Sequence, residues 1–135
     1  MRTDPVTLQV LRNHARAAAE SMATTLYRTA HSTFVKETED FTIQLLDRHG
    51  KPCAVPIDLG ATWYPALDYE AAIGLVPGGY RPGDIALTND PYSGFLATHS
   101  PDIVMWKPVF HEGGIIAFAG GHIDGVDVGG AVPAS

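Results

Sequence analysis

Residues 102–124 read DIVMWKPVFHEGGIIAFAGGHID. Two runs rich in Ile, Val and aromatic residues, Ile103 to Phe110 and Ile115 to Ala119, flank His111-Glu112-Gly113-Gly114. Two such runs separated by a short glycine-bearing segment predict an antiparallel hairpin. If the chain stays extended from Ile116 to Asp124, His122 and Asp124 share a face, because alternate residues of a strand point the same way. The hairpin then carries that pair back towards whatever precedes Ile103.

What precedes it is His99-Ser100-Pro101-Asp102. In a straight strand, residues three apart point to opposite faces, so His99 and Asp102 could not share a ligand. Pro101 removes a backbone donor and biases Ser100 away from helix, which predicts a bend. A bend can bring the imidazole and the carboxylate to one point. Such ligands suit Mn²⁺, Fe²⁺ or Zn²⁺ rather than a thiolate-seeking metal. A metal normally needs three protein ligands, and His99, Asp102 and either His122 or Asp124 supply them. The plainer alternative is that Asp102 hydrogen-bonds its own loop, His99 lies at the surface, and Asp127 satisfies backbone N–H groups in a glycine-rich turn.

Working outward, Asn89-Asp90-Pro91-Tyr92-Ser93-Gly94 is turn chemistry, with Asp90 placed to brace His99 from behind. Ile85 and Leu87 mark a short strand after RPGD. Further upstream, Phe41, Ile43 and Leu45 alternate with Thr42, Gln44 and Leu46, a strand pattern. DRHGKP follows as a turn in which Gly50 is free to take positive φ. Cys53, Val55 and Ile57 give a second strand, placed at an edge because Pro52 and Pro56 cannot donate to a ladder. Cys53, lacking an evident His partner, is expected as a small buried residue. Trp63, Leu67, Ala71 and Leu75 suggest a helix stopped by Pro77, Gly78 and Gly79. The acidic group Glu37, Glu39 and Asp40 is expected as a solvated loop.

The N-terminal element is the plainest. Asp4 is a good N-cap and Pro5 suits the first helical position. Leu8, Leu11, Ala15, Ala18, Met22 and Leu26 follow at helical spacing, predicting a helix from about residue 5 to about residue 31. At about 1.5 Å per residue it reaches roughly 40 Å, long enough to pack against something besides its own chain. The fold class is therefore α+β: a long N-terminal helix, then mainly antiparallel strands with one further helix. The closing GHIDGVDVGGAVPAS shows no helix or strand pattern after the glycines, so the tail is frayed or belongs to a larger fold.

Composition limits the function classes. The chain has 135 residues, of which 45% are hydrophobic and 18% charged, a globular profile. Its net charge is −6 without a Lys/Arg cluster, which argues against nucleic-acid and anionic-membrane surfaces. Apolar runs such as IIAFA are too short to span a bilayer, and MRTDPVT lacks a signal-peptide core. One cysteine cannot form an intrachain disulfide. A cytoplasmic location is expected. Neither a phosphate-binding GxxxxGK[ST] loop, a GxGxxG turn nor a GxSxG elbow is present.

In order, DPVTLQVLRNHARAAAESM, RTAHSTFVKETEDFTIQLLDRHG, IDLGA, GDIALTNDPYSG, THSPDIVMWKPVF and GHIDGVDVGG cover nearly the whole chain. Together they resemble the N-terminal part of the hydantoinase B/oxoprolinase family, whose members usually continue for several hundred residues. The resemblance implies one domain over residues 1–135, an incomplete fold completed by a partner subunit, and the small subunit of a split enzyme. It points to a multi-subunit, biotin-independent, ATP-dependent carboxylase that converts acetophenone and bicarbonate to benzoylacetate, as in anaerobic ethylbenzene degradation. The expected partners are larger hydantoinase A-like and hydantoinase B-like subunits in a hetero-oligomer, with the ATP site on the hydantoinase A-like one. Two alternatives stand beside it: a subunit of an ATP-dependent amidohydrolase of the hydantoinase, oxoprolinase or lactamase type, and a non-catalytic subunit that only completes a fold.

For the site, the resemblance implies that His99, Asp102 and His122 line the catalytic centre and that a divalent metal (Mn, Zn or Mg) is held by His99, Asp102 and Asp124. In related acetone carboxylases a later His completes the metal site. In the family pattern GHxHxxDIGG that position falls on Asp124 here, and His122 matches the first His. This substitution adds negative charge to the ligand set and weakens its preference for softer metals.

Overall fold

A computed structural model describes residues 4–60, 67–127, 129 and 131–132. Among them the elements run α1 (Pro5–Thr29), α2 (Thr33–Glu37), β1 (Phe41–Asp47), β2 (Pro52–Ala54), α3 (Glu70–Gly74), β3 (Ala86–Thr88), β4 (Asp102–His111) and β5 (Gly114–Asp124). The five strands form one antiparallel sheet in the order β2-β1-β5-β4-β3. The predicted α+β class is the fold observed, with one short helix more than expected. That helix, α2, is five residues long, too short for a hydrophobic period to reveal it. Of the helix expected from Trp63 onward, the structure shows only α3; residues 61–66 lie outside the described residues.

The Asp4 carboxylate accepts hydrogen bonds from the Val6 and Thr7 N–H groups at 3.0 and 3.1 Å, starting α1 at Pro5. Its other end stops where Ala30 turns extended, with its N–H still bonded to the Leu26 carbonyl. Lys36 from α2 then donates to the Tyr27 and Arg28 carbonyls, so a cation covers the negative end of the helix. The line that α1 buries is Ala19 and Ala23, one position off the expected stripe. Methyl side chains let the helix backbone approach the sheet closely. Met22 and Leu26 are left at the margin of the contact and Leu8 and Leu11 in solvent.

The strand pattern expected over Phe41 to Leu46 is β1, and it is packed on both faces. Thr42, Gln44 and Leu46 are buried on one face, while on the α1 side Phe41 is fully buried and Ile43 and Leu45 only partly so. The alternation is real, but its polar phase is buried as well as its apolar one. The main core joins Leu46, Tyr69, Leu96, Val104, Trp106 and Phe118. Tyr69 meets Trp106 edge-on at 6.1 Å, and the Trp106 indole N–H donates to the Tyr80 hydroxyl at 2.6 Å. A second, smaller core of Ala23, Val35 and Phe41 holds α1 and α2 against the opposite face.

The hairpin of β4 and β5 turns through Glu112 and Gly113, both at positive φ (48° and 80°), the geometry that matches the natural strand twist. Gly50 takes φ 88° at the β1–β2 turn as expected; an added Cβ there would come within 2.7 Å of Ile73. β2 is an edge strand, again as expected, but Cys53 on it is exposed rather than buried. No helix among the described residues is long and apolar enough to cross a membrane.

Candidate metal centre

Two strand ends and one turn meet at a single corner of the sheet. β4 begins at Asp102 and β5 ends at Asp124, and the two residues are register partners. The expected bend is present: Asp102 N–H bonds back to the His99 carbonyl at 3.1 Å, closing a turn through Ser100 and Pro101. That turn swings the His99 imidazole over the strand ends. Its Nε2 lies 3.3 Å from Asp102 Oδ1 and 3.8 Å from Asp124 Oδ1. His122, two residues before Asp124 and on the same face, donates from Nε2 to Asp102 Oδ1 at 2.9 Å. All four residues singled out in the sequence therefore converge.

The surroundings hold this corner in place. Asp102 Oδ2 accepts from the Thr98 hydroxyl (2.6 Å), the Thr98 N–H (2.8 Å) and the His99 N–H (3.3 Å). With that oxygen saturated, Oδ1 is the one turned to the histidines. Asn89 Nδ2 donates to the Ser100 carbonyl at 3.1 Å, tying the preceding turn to this one. Gly125 N–H donates to the Pro101 carbonyl at 3.0 Å, and a Cβ on Gly125 would lie 2.8 Å from that oxygen. Only glycine permits so close an approach without displacing the turn.

Charge at the corner is strongly negative. Burial pushes the Asp102 carboxyl up, yet the Thr98 hydroxyl, the His122 ring and the Thr98 N–H outweigh it and hold the group below the usual carboxylate value. Asp124 goes the other way: burial, the Asp40 charge and the Asp102 charge raise it, only partly offset by His99 and His122. Its Oδ1 is buried and makes no hydrogen bond among the described residues.

These features fit a divalent cation. One imidazole nitrogen and two carboxylate oxygens lie within 4.8 Å of one another. An acceptor without a hydrogen bond and two facing carboxylates are the local conditions a bound cation relieves. The donor set is that of a hard-to-borderline metal. His99 is 42% exposed at its side chain against 5% for Asp102 and 14% for Asp124, so the corner opens to solvent on the imidazole side.

Other expectations fared differently. Asp90 does not brace His99; its carboxylate caps its own turn by accepting from Tyr92 N–H at 2.8 Å. Asp127 accepts from Gly129 N–H at 2.9 Å, the glycine-turn role that was the plainer reading. Glu39 accepts from Gly60 N–H at 3.3 Å, a structural contact rather than a solvated loop. Sequence reasoning missed Thr98, which carries no signature beyond its place next to His99, and Asp40, whose carbonyl accepts from Asp124 N–H at 3.1 Å and whose charge Asp124 feels.

The hydantoinase B/oxoprolinase family model matches residues 4–135. Caprolactamase subunit beta of Pseudomonas jessenii is 31% identical over 137 residues, covering 97% of this chain and 22% of that protein. The crystal structure of ATP-dependent caprolactamase from Pseudomonas jessenii superposes with a TM-score of 0.79 at 27% identity, over 99% of this chain and 23% of the other. A nucleotide-free acetone carboxylase structure shares the fold, with a TM-score of 0.74 at 20% identity over 95% of this chain and 17% of the other. The chain spans between 10% and 24% of the length of the curated relatives it matches. With a family match across almost its whole length, the chain belongs to the hydantoinase B/oxoprolinase family.

Proposed function

We propose that this chain, a unit equivalent to the N-terminal part of hydantoinase B, supplies the metal-binding wall of an ATP-dependent, multi-subunit enzyme acting on small carbonyl compounds. The observation that carries this reading is the convergence of His99, Asp102 and Asp124, with His122 bonded to Asp102 behind them. A divalent cation (Mn, Zn or Mg) bound there would act as a Lewis acid on a substrate carbonyl or enolate oxygen. His99, Asp102 and Asp124 would hold it, and His122 and Thr98 orient Asp102 for that task. Nucleotide chemistry falls to a larger hydantoinase A-like subunit. This chain carries no phosphate-binding loop motif.

The reaction we favour is carboxylation of an aryl ketone, acetophenone and bicarbonate giving benzoylacetate without biotin, with both substrates activated by phosphorylation. What supports it is the ordered set of motifs that resembles a split carboxylase of this family; the fold is common to acetone carboxylase and caprolactamase, and the substitution of Asp124 for the later His bears on metal preference. Hydrolysis of a cyclic amide is the second reading, favoured by the 31% identity to a caprolactamase subunit. Purified complex separates them. Bicarbonate-dependent ATP turnover with acetophenone is the expected result; turnover with a lactam or hydantoin and no bicarbonate transfers the assignment to an amidohydrolase. Full activity and metal content after His99→Ala would remove catalysis from this chain and leave it a structural subunit.

A further inference from the structure

The N-terminal half of α1 carries almost no contact with the rest of the chain. Val6, Leu8 and Leu11 are 73%, 58% and 56% exposed. The stripe of Leu8 and Leu11, which does not include Val6, runs on through Met22, which borders a groove of about 290 Å³ between α1 and the sheet face that carries Ile103 and Met105. Met105 and, at the neighbouring edge, Leu87 are themselves exposed. The exposed leucines of α1 and the open apolar sheet face thus adjoin through Met22, the kind of contiguous apolar surface that marks an interaction site.

Its charge says what kind of partner fits. On a chain of net charge −6, the only charged residues between Pro5 and Ala18 are Arg12 and Arg16. They continue at helical spacing the line that Ala19 and Ala23 bury. Lys107 lies two residues beyond Met105 on the same exposed face. None of the three cations makes an ion pair among the described residues. A second copy of this chain is a poor occupant, because antiparallel pairing of α1 with itself sets Arg12 and Arg16 against the same two residues.

We propose that the projecting half of α1 and the adjoining groove seat an apolar helix flanked by carboxylates, carried by the larger hydantoinase B-like subunit of the assembly. The inference rests on the multi-subunit part of the proposed function and is independent of which reaction is catalysed. The caprolactamase chain that contains this fold is more than four times as long, so the remainder has ample length to supply such a helix.

The test is photo-crosslinking in the native assembly, with a photoreactive amino acid placed singly at Leu11, at Met105 and, as a control, at His111 on the hairpin tip of the tagged full chain. Crosslinks from Leu11 and Met105 to one apolar, acid-flanked segment of the hydantoinase B-like subunit, absent from His111, are expected; crosslinks to the hydantoinase A-like subunit instead overturn the proposal. Arg12→Glu with Arg16→Glu should abolish them while Arg12→Lys with Arg16→Lys keeps them; both pairs are exposed, and circular dichroism checks that the fold survives. Crosslinking of this chain to itself overturns the proposal. So does an assembly that forms while Leu11 and Met105 touch no subunit, an outcome that leaves the proposed function standing. A chain that elutes alone overturns both.

Discussion

Asp102 and Asp124 are partners across the β4–β5 ladder, so two carboxylates face each other at the corner where the His99 imidazole reaches 3.3 Å from one and 3.8 Å from the other. Their environments push them apart, Asp102 below and Asp124 above the ordinary carboxylate value. Most of what can be tested about this protein follows from that opposition.

Replacing Asp124 by His restores the family pattern and removes one of the two facing negative charges. Asp124→His should shift metal preference towards Zn²⁺ over Mg²⁺, since imidazole is the softer ligand. Competition titrations monitored by elemental analysis of the purified complex read this directly; unchanged selectivity would exclude residue 124 from the ligand set.

The two aspartates give opposite pH signatures. Asp102 titrates below its ordinary 3.8, so its charged form stabilises the fold; that contribution is complete above 3.8 and is lost as pH falls through the lowered value. Asp124 titrates above 3.8, so its contribution is present at low pH and disappears as pH rises through the raised value. In metal-free urea melts from about pH 2 to 7, Asp102→Asn should flatten the acid limb of the stability curve. Asp124→Asn should instead raise stability at neutral pH. The reverse pattern would show that the assigned directions are wrong.

Asp102 is buried and its two oxygens serve Thr98, His99 and His122. Truncating it to Ala leaves those donors without an acceptor and should cost about 3–5 kcal/mol, the range for breaking a buried pair. Thr98→Val removes only the 2.6 Å hydroxyl bond and should cost about 1.5–3 kcal/mol. If the corner holds a metal, that smaller change should also weaken metal affinity by roughly 10–100-fold, because Asp102 is no longer held in orientation. Denaturant melts and metal titrations on the same preparations separate the two effects.

Gly125→Ala places a methyl group 2.8 Å from the Pro101 carbonyl oxygen. The turn that carries His99 must then move, at a cost of about 1–3 kcal/mol. Metal occupancy should fall with it although no ligand has been altered. Normal occupancy would show that the turn tolerates displacement and that His99 is not a required ligand.

Much of this was legible in the residues. The start of α1 followed from Asp4 and Pro5, because capping is a local interaction. Both long strands and their glycine-bearing turn followed from β-rich composition, because strand propensity and turn chemistry act over a few residues. The bend at Pro101 and the shared face of His122 and Asp124 are consequences of proline sterics and of the two-residue period of a strand.

What the chain alone left open concerns which surface meets which. The buried line of α1 is Ala19 and Ala23 rather than the leucine stripe, and β1 buries Thr42 and Gln44 along with Phe41 and Leu46. Both depend on where the helix lands on a sheet that is covered on both sides. Thr98 and Asp40 join the site only because the ladder register brings Asp102 beside Asp124 and the chain before β1 beside the end of β5. Local sequence determined the elements and the residues able to bind a cation. Tertiary structure decided their faces and their neighbours, because register and packing are settled by contacts between segments far apart in the chain.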